Sequence, residues 1–307
     1  MLKVLITGGS GLLATNWACF ARDKIRVVLA LHKTNVLFED TESVFLNLES
    51  RDDILDKLVQ ISPDVVIHAA GLTNVDECQL NPLLAKHINC ELAENVAFVC
   101  AKTGIKLVHI STDHLFSSKN SFSTENSNPQ PVNVYAESKL NAEFAVKKLN
   151  NDALIIRTNF FGWGHQFRQS FSDWIYINLI NNKEISLFDD VYFTPILIDS
   201  LATHIHALLA LNEYGIFNVV SDDRISKYEF GLHICEKFNL SSNLIKPASI
   251  ASLKSLAPRP HDMSLSNHKL KLKLGINYIS VSNEVEQLKL QLGMGRPLEI
   301  QKAIRGV

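Results

Sequence analysis

Residues 2–14 constrain the fold of this chain more than any other stretch. Leu2-Lys3-Val4-Leu5-Ile6-Thr7 is a short apolar run rich in branched side chains, the pattern of a buried strand. It opens into Gly8-Gly9-Ser10-Gly11-Leu12-Leu13-Ala14 and then a helical stretch that runs to Arg22. Strand, glycine turn and helix, in that order, is the context in which a glycine motif holds a dinucleotide. The glycines let the backbone turn tightly and approach a pyrophosphate. The helix N-terminus offers it free N–H groups and the positive end of the helix dipole. The spacing Gly8-x-x-Gly11-x-x-Ala14 is tighter than G-x-G-x-x-G, and its third place needs only a small residue for helix–strand packing. Gly8, Ser10, Gly11, Leu12 and Leu13 are therefore candidate cofactor contacts.

Strands and helices then alternate. Ile25–Leu31, Val44–Leu48, Pro63–His68, Lys106–Ile110 and Ala153–Arg157 read as strands two to six. Between them lie helical patterns at Arg51–Ile61, from Asn81-Pro82 to about Thr103, where Gly104 ends the helix, and from Tyr135 to about Leu149. The alternation predicts an α/β fold, a Rossmann-type doubly wound parallel sheet. Beyond residue 160 it lapses. A helix at Phe171–Asn181, a short run at Ile185–Phe188, a helix at Asp199–Leu211 and a seventh strand at Ile216–Val220 follow. Ser226 and Glu229 form a capping box that opens a helix to Phe238. Two amphipathic segments come last, Leu265–Leu274 and Val281–Leu292. We read a dinucleotide-binding domain at 1–160 and 197–220, with a smaller C-terminal substrate lobe at 161–196 and 221–307 closing over the sheet's carboxyl edge.

Ligands of such sheets bind at the carboxyl ends of the strands. After strand two an acid commonly binds the adenosine ribose, but here the residues are Leu31-His32-Lys33. The missing acid and the positive charge lean toward NADPH, with a 2′-phosphate near Lys33, over NADH. After strand four, Ala69-Ala70-Gly71 leave room for a flat ligand. After strand five, the Thr112 hydroxyl can donate to a substrate carbonyl. Tyr135 and Lys139 stand four apart at a helix start and so share one face. A lysine ammonium beside a phenol favours the phenolate and lowers its pKa, which makes the tyrosine a proton donor or acceptor for a carbonyl/alcohol pair. The polar stretch Ser117–Pro131, between Thr112 and Tyr135, reads as a flap over the site or as a solvated surface loop.

Composition narrows the function classes. Lys+Arg number 30 against 32 Asp+Glu, a net charge of −2, which argues against the basic stripe of a nucleic-acid binder. Five cysteines without C-x-x-C spacing read as reduced core thiols rather than a disulfide frame or a zinc site, and no metal is expected. His204-x-His206 lies on a predicted helix, where i and i+2 do not share a face. No signal segment and no apolar run of roughly 18 residues is present, so no membrane partner is expected and the location predicted is cytoplasmic.

These motifs together resemble the extended short-chain dehydrogenase/reductases, and within them the dTDP-4-dehydrorhamnose reductase family. The resemblance rests on Ile6–Leu13, Val66–Asp76, Ser111-Thr112-Asp113-His114-Leu115-Phe116, Tyr135–Lys139, Arg157-Thr158-Asn159-Phe160, Ser226–Phe230 and Arg259-Pro260, and it runs over nearly the whole chain. It implies that NAD(P)H delivers hydride to C4 of a nucleotide-activated 4-keto-6-deoxy sugar. Tyr135 would protonate the C4 oxygen, Thr112 would hydrogen-bond it, and Lys139 would hold the nicotinamide ribose. Asn159 and Phe160 would lie near the substrate, with Arg259 a diphosphate partner. The chain departs from the family in having His114 where tyrosine is usual and Phe160 where tryptophan is usual. The family's acidic residues for a divalent ion at a dimer contact are not clearly reproduced, so neither metal nor dimer is carried over, and a homodimer stays open.

The resemblance points to a reductase of nucleotide-sugar and surface-polysaccharide biosynthesis. Two alternatives use the same framework. One is a nucleotide-sugar epimerase. The other is a non-catalytic NADP-binding regulatory subunit of the methionine adenosyltransferase type.

Overall fold

Seven parallel strands make the central sheet: β1 (Lys3–Thr7), β2 (Arg26–Leu31), β3 (Thr41–Phe45), β4 (Val65–His68), β5 (Lys106–Ile110), β6 (Leu154–Arg157) and β7 (Gly215–Asn218). They lie in the order β3-β2-β1-β4-β5-β6-β7 in a computed structural model that describes residues 1–117, 120–252 and 256–305. A parallel sheet is covered on both faces, so its strands are apolar on both sides. β1 shows this: Val4 and Ile6 feed one apolar layer, and Leu5, between them, feeds the other. Chain direction across the sheet reverses between β1 and β4, and such a switch point opens a crevice at the strands' carboxyl ends.

The helices are α1 (Leu12–Ala21), α2 (Arg51–Ile61), α3 (Val75–Leu80), α4 (Pro82–Lys86), α5 (Leu92–Thr103), α6 (Val134–Leu149), α7 (Phe171–Ile180), α8 (Ile198–Ala210), α9 (Lys227–Phe238), α10 (His268–Leu274), α11 (Val281–Gly293) and α12 (Arg296–Ala303). Five of these twelve helices begin on a side-chain cap. Ser50 accepts from the Asp53 N–H of α2, and Asn133 from the Ala136 N–H of α6. Ser170 with Asp173, and Ser226 with Glu229, form reciprocal capping boxes on α7 and α9.

Several boundaries differ from the sequence reading. The helix expected from Asn81 to Thr103 is three pieces, because His87–Glu91 forms a π turn between α4 and α5. α3 precedes them, started by Asn74, whose side chain accepts from the Asp76 and Glu77 N–H groups. β3 lies earlier than Val44–Leu48, since its register sets Val44 beside Ala30 and Phe45 beside Leu31 at the end of β2. β7 stops at Asn218 rather than Val220. Loop 117–131 takes over there: the Asn218 N–H donates to Glu125 Oε1 (2.9 Å) and its side-chain amide donates to the Ser123 carbonyl (3.0 Å). In the amphipathic segment Leu265–Leu274, Leu265 bridges to Ser123, and helix begins at His268.

The rest of the chain adds short strand pairs. Phe160–Phe161 pairs with Ile196–Leu197, Ile185–Phe188 with Ile245–Ala248, and Tyr192–Phe193 with Ile225–Ser226. One apolar cluster runs from Val4 and Ile6 of the sheet through Phe193, Phe230 and Val285 to Ile304. Glu284 of α11 is buried within it. Its carboxylate accepts from the Leu197 N–H and the Ser200 hydroxyl, 2.8 Å each, at the start of α8. Ile304–Arg305 returns to pair antiparallel with Asn35–Val36, just after β2. The five cysteines are buried free thiols. The two histidines of α8 do not form a pair: His206 accepts from the indole N–H of Trp17 (3.1 Å). No helix among the described residues is long and apolar enough to cross a membrane.

Candidate active site

A cleft of about 1090 Å³ follows the carboxyl ends of the strands. One part of its wall is the glycine turn. Gly8 takes φ +68°, a left-handed conformation, and the Gly11 N–H closes the turn onto the Gly8 carbonyl at 2.7 Å. A Cβ on Gly8 would lie 3.0 Å from the Ala70 backbone, so glycine there lets the β1 and β4 ends approach each other. The buried Thr7 hydroxyl fixes that approach. It accepts from the Ala69 (3.1 Å) and Ala70 (3.3 Å) N–H groups and hydrogen-bonds His68 Nδ1 at 2.9 Å. α1 starts at Gly11 with no side-chain cap and no acid in its first turn, which leaves its N-terminal end to an anion. Gly8, Ser10, Gly11, Leu12, Leu13, Ala69, Ala70 and Gly71 all line the cleft.

At the end of β2 the wall is His32 and Thr34. Lys33, expected there, is exposed and does not line the cleft; residues 32–34 form a bend, and its flanking residues His32 and Thr34 take the wall. Further along, the wall includes Glu49 and His87. His87 bonds Glu91 (2.8 Å) and Glu49 (2.9 Å), and these carboxylates raise its pKa.

Thr112, Tyr135 and Lys139 meet at the opposite part of the cleft, and all three are buried. Tyr135 and Lys139 share the inner face of α6's first turns. The Thr112 side chain acts on Tyr135 by favouring its ionised form, while the Thr112 hydroxyl itself donates to Asp113 (3.3 Å) and accepts from the His114 N–H (3.3 Å). Lys139 Nζ donates to the Ile110 carbonyl at 2.7 Å, the end of β5. The electrostatics differ from the sequence expectation. Burial pushes the Tyr135 phenol up to about 12, and Lys139 is not among the charges acting on it. Lys139 points to a backbone carbonyl instead, and burial brings its own pKa down to about 8. Tyr135 therefore keeps its proton, the form a general acid needs.

Several supporting side chains went unread in the sequence. Asn89, in the π turn, is buried. Its side chain accepts from the Leu72 N–H (2.7 Å) and donates to the Leu72 carbonyl (3.0 Å) and to Ser138 Oγ (2.9 Å). It thereby ties the Ala69–Leu72 segment to α6. An asparagine interrupting an apolar helical stripe was the available signal, since asparagine is a poor helix-interior residue. Below Thr112, Ser111 Oγ donates to Glu143 (2.6 Å), which also pairs with Arg157 (2.7 Å). His68 and His109 stack in adjacent strands with centroids 5.5 Å apart, and burial with the Lys139 charge lowers both pKa values.

Asp113 takes up Asn159: the Asn159 amide donates to Asp113 Oδ2 at 2.6 Å. Asn159 and Phe160 both line the cleft, as does His114, whose ring meets the Tyr135 ring edge-on at 5.4 Å. Arg259 does not line it. Arg259 pairs with Asp76 at 3.2 Å, yet its charge acts on His114 and Lys227. Loop 117–131 contributes no described residue to the wall, so it is not a flap there; Ser118 and Lys119 lie outside the described residues. A different segment crosses the cleft. Anchored where Trp163 and Asn16 exchange hydrogen bonds, it brings His165 to donate to the Ser10 carbonyl (3.0 Å) and Arg168 to donate to the Thr73 hydroxyl.

The chain is similar to known proteins along most of its length. The "Probable low-salt glycan biosynthesis reductase Agl14" of Haloferax volcanii is 28 % identical over 293 residues, covering 94 % of this chain and 97 % of that protein. Methionine adenosyltransferase 2 subunit beta of Xenopus laevis is 27 % identical over 286 residues, covering 89 % of this chain and 83 % of that one. The crystal structure of dTDP-4-dehydrorhamnose reductase from Bacillus anthracis, in complex with NADP, superposes with a TM-score of 0.82 at 26 % identity, covering 95 % of this chain and all of that one. The RmlD substrate binding domain family matches residues 2–292, and this chain belongs to that family.

Proposed function

We propose that the protein is an NADPH-dependent reductase of a nucleotide-activated 4-keto-6-deoxy sugar. One observation carries the reading: Tyr135, Thr112 and Lys139 stand buried in the same cleft as an uncapped glycine turn. The cradle fits a nicotinamide dinucleotide, because Gly8 in its left-handed conformation turns the chain tightly at the end of β1 and α1's first turn is left to an anion. Gly8, Ser10, Gly11, Leu12 and Leu13 would hold the pyrophosphate. Ala69, Ala70 and Gly71 would flank it on the β4 side. NADPH over NADH is supported by the lack of an acid after β2 and by the NADP complex of the related reductase.

When bound, the cofactor supplies a hydride for C4. Tyr135 gives its proton to the C4 oxygen, and Thr112 orients both. Lys139 spends one donor on Ile110 and keeps two for the nicotinamide ribose. Asn159, fixed by Asp113, and Phe160 contact the sugar. Residues 161–196 and 221–307 act as the substrate lobe. NADPH oxidation with a panel of dTDP-, GDP- and UDP-4-keto-6-deoxy sugars tests the reading. Oxidation with one of them supports it. No oxidation with any of them, despite NADPH binding, would shift it to a regulatory role, for which the similarity to methionine adenosyltransferase 2 subunit beta speaks.

A further inference from the structure

Lys227 is placed where a lysine is hard to keep. It is the first residue of α9, at the positive end of the helix dipole, where a cation is disfavoured. Its ammonium lies 3.2 Å from the centroid of the buried Phe193 ring and 5.0 Å from that of Phe171, which lines the cleft. Among the described residues, Nζ meets no hydrogen-bond acceptor and no ion-pair partner. Asp113 is the carboxylate whose charge acts on it, but Asp113 already accepts from Thr112 (3.3 Å) and Asn159 (2.6 Å). Arg259 adds a second positive charge nearby. Burial draws the Lys227 pKa down to about 8, so it stays mostly protonated at neutral pH.

The charges identify the ligand chemistry. A sugar hydroxyl could be bound by a neutral amide, without the cost of desolvating a charge. The Lys227 ammonium, half-buried over the Phe193 and Phe171 rings, recovers that cost best against an anion. Neither Lys227 nor Arg259 lines the cleft itself, but His114, which does and which packs on Tyr135, feels both charges, so this cationic corner adjoins the Tyr135 end of the cleft and not the glycine turn. The anions of a nucleotide-activated sugar are its two phosphates, joined to C1, across the ring from the reacting C4. We propose that Lys227, flanked by Arg259, holds the diphosphate of the nucleotide sugar and thereby sets C4 against Tyr135. This rests on the reading of the substrate given above.

The test measures binding without turnover. The NADPH-saturated protein is titrated calorimetrically with dTDP, UDP and GDP and with the matching monophosphates, for wild type, Lys227→Met and Lys227→Arg. For the nucleoside that binds, Lys227→Met is expected to weaken the diphosphate at least tenfold and the monophosphate less than threefold. Lys227→Arg should restore most of the difference, with NADPH affinity the same in all three. Unchanged diphosphate affinity in Lys227→Met, an equal loss for mono- and diphosphates, or a wild type that binds no nucleoside diphosphate would each overturn the proposal. Should Lys227→Met fail to fold, Lys227→Gln against Lys227→Arg gives the same comparison. A protein that shows these differences but reduces no sugar refutes the reductase reading and leaves this assignment standing.

Discussion

The guanidinium of Arg157 and the carboxylate of Glu143 lie 2.7 Å apart, each side chain only 3 % exposed. The pair sits directly under the reacting end of the cleft, because the same carboxylate accepts from Ser111, the neighbour of Thr112. Removing one partner leaves the other charge buried and alone. Glu143→Ala should therefore cost about 3–5 kcal/mol of stability. Urea unfolding checks this, and a loss below about 1 kcal/mol would show that the site does not rest on the pair.

Tyr135→Phe deletes the donated proton and little else. Turnover should fall by about two to four orders of magnitude, with NADPH affinity unchanged. Thr112→Val should lower kcat as well, since the Thr112 hydroxyl stands beside Tyr135 in the cleft and would hydrogen-bond the same C4 oxygen. Undiminished turnover in Tyr135→Phe would remove the tyrosine from the mechanism.

The pH profile should follow Lys139 rather than Tyr135. With the phenol pushed up to about 12, the acid stays protonated throughout the accessible range, while Lys139 titrates near 8. Glu143 raises the Lys139 pKa, and the neighbouring His68 and His109 are neutral at such pH. Reduction is expected to decline above about pH 8 with a single limb. Lys139→Arg should move that limb out of range, and an unmoved limb would assign it elsewhere.

Stability should also depend on pH through Glu284. Burial raises its pKa from 4.5 to about 7, against the opposing hydrogen bonds from Ser200 and Leu197. The folded state thus binds the proton more tightly than the unfolded chain. Its contribution is full below about pH 4.5 and is lost as pH rises through about 7. Thermal melts should show stability falling between about pH 5 and 8, by up to about 3 kcal/mol at one pKa unit per 1.36 kcal/mol. Glu284→Gln should flatten that fall, and an equally steep profile in the variant would refute the assignment.

What could be read from the sequence follows from where the information is local. β1, the glycine turn and α1 are contiguous, and period and glycine placement suffice to find them. Tyr135 and Lys139 are likewise one helix turn apart. The π turn could not be read this way, because Asn89 acts on Leu72 and Ser138, far away in sequence. The direction of the Tyr135 shift was misjudged for a similar reason. Helix spacing puts Lys139 on the right face, but burial and the Ile110 carbonyl decide where its charge goes. Lys33 lies in a bend whose flanking residues line the cleft, which apolar periodicity does not reveal, and Lys227 reads as part of a capping motif because its aromatic neighbours Phe171 and Phe193 are far away in sequence.

The return strand at Ile304–Arg305 has a consequence for how the protein comes into being. Val36 pairs with Ile304, and the Leu37 N–H donates to the Ala303 carbonyl at 2.9 Å, so this late segment braces the turn that carries His32 and Thr34. A chain emerging from the ribosome presents its glycine turn early, yet the wall at His32 and Thr34 is braced only after residue 304 has docked. Cofactor binding there would then depend on the late segment and not on a folded N-terminal half alone. A nicked or prematurely stopped chain would be marked by its weak hold on NADPH before any loss of the sheet.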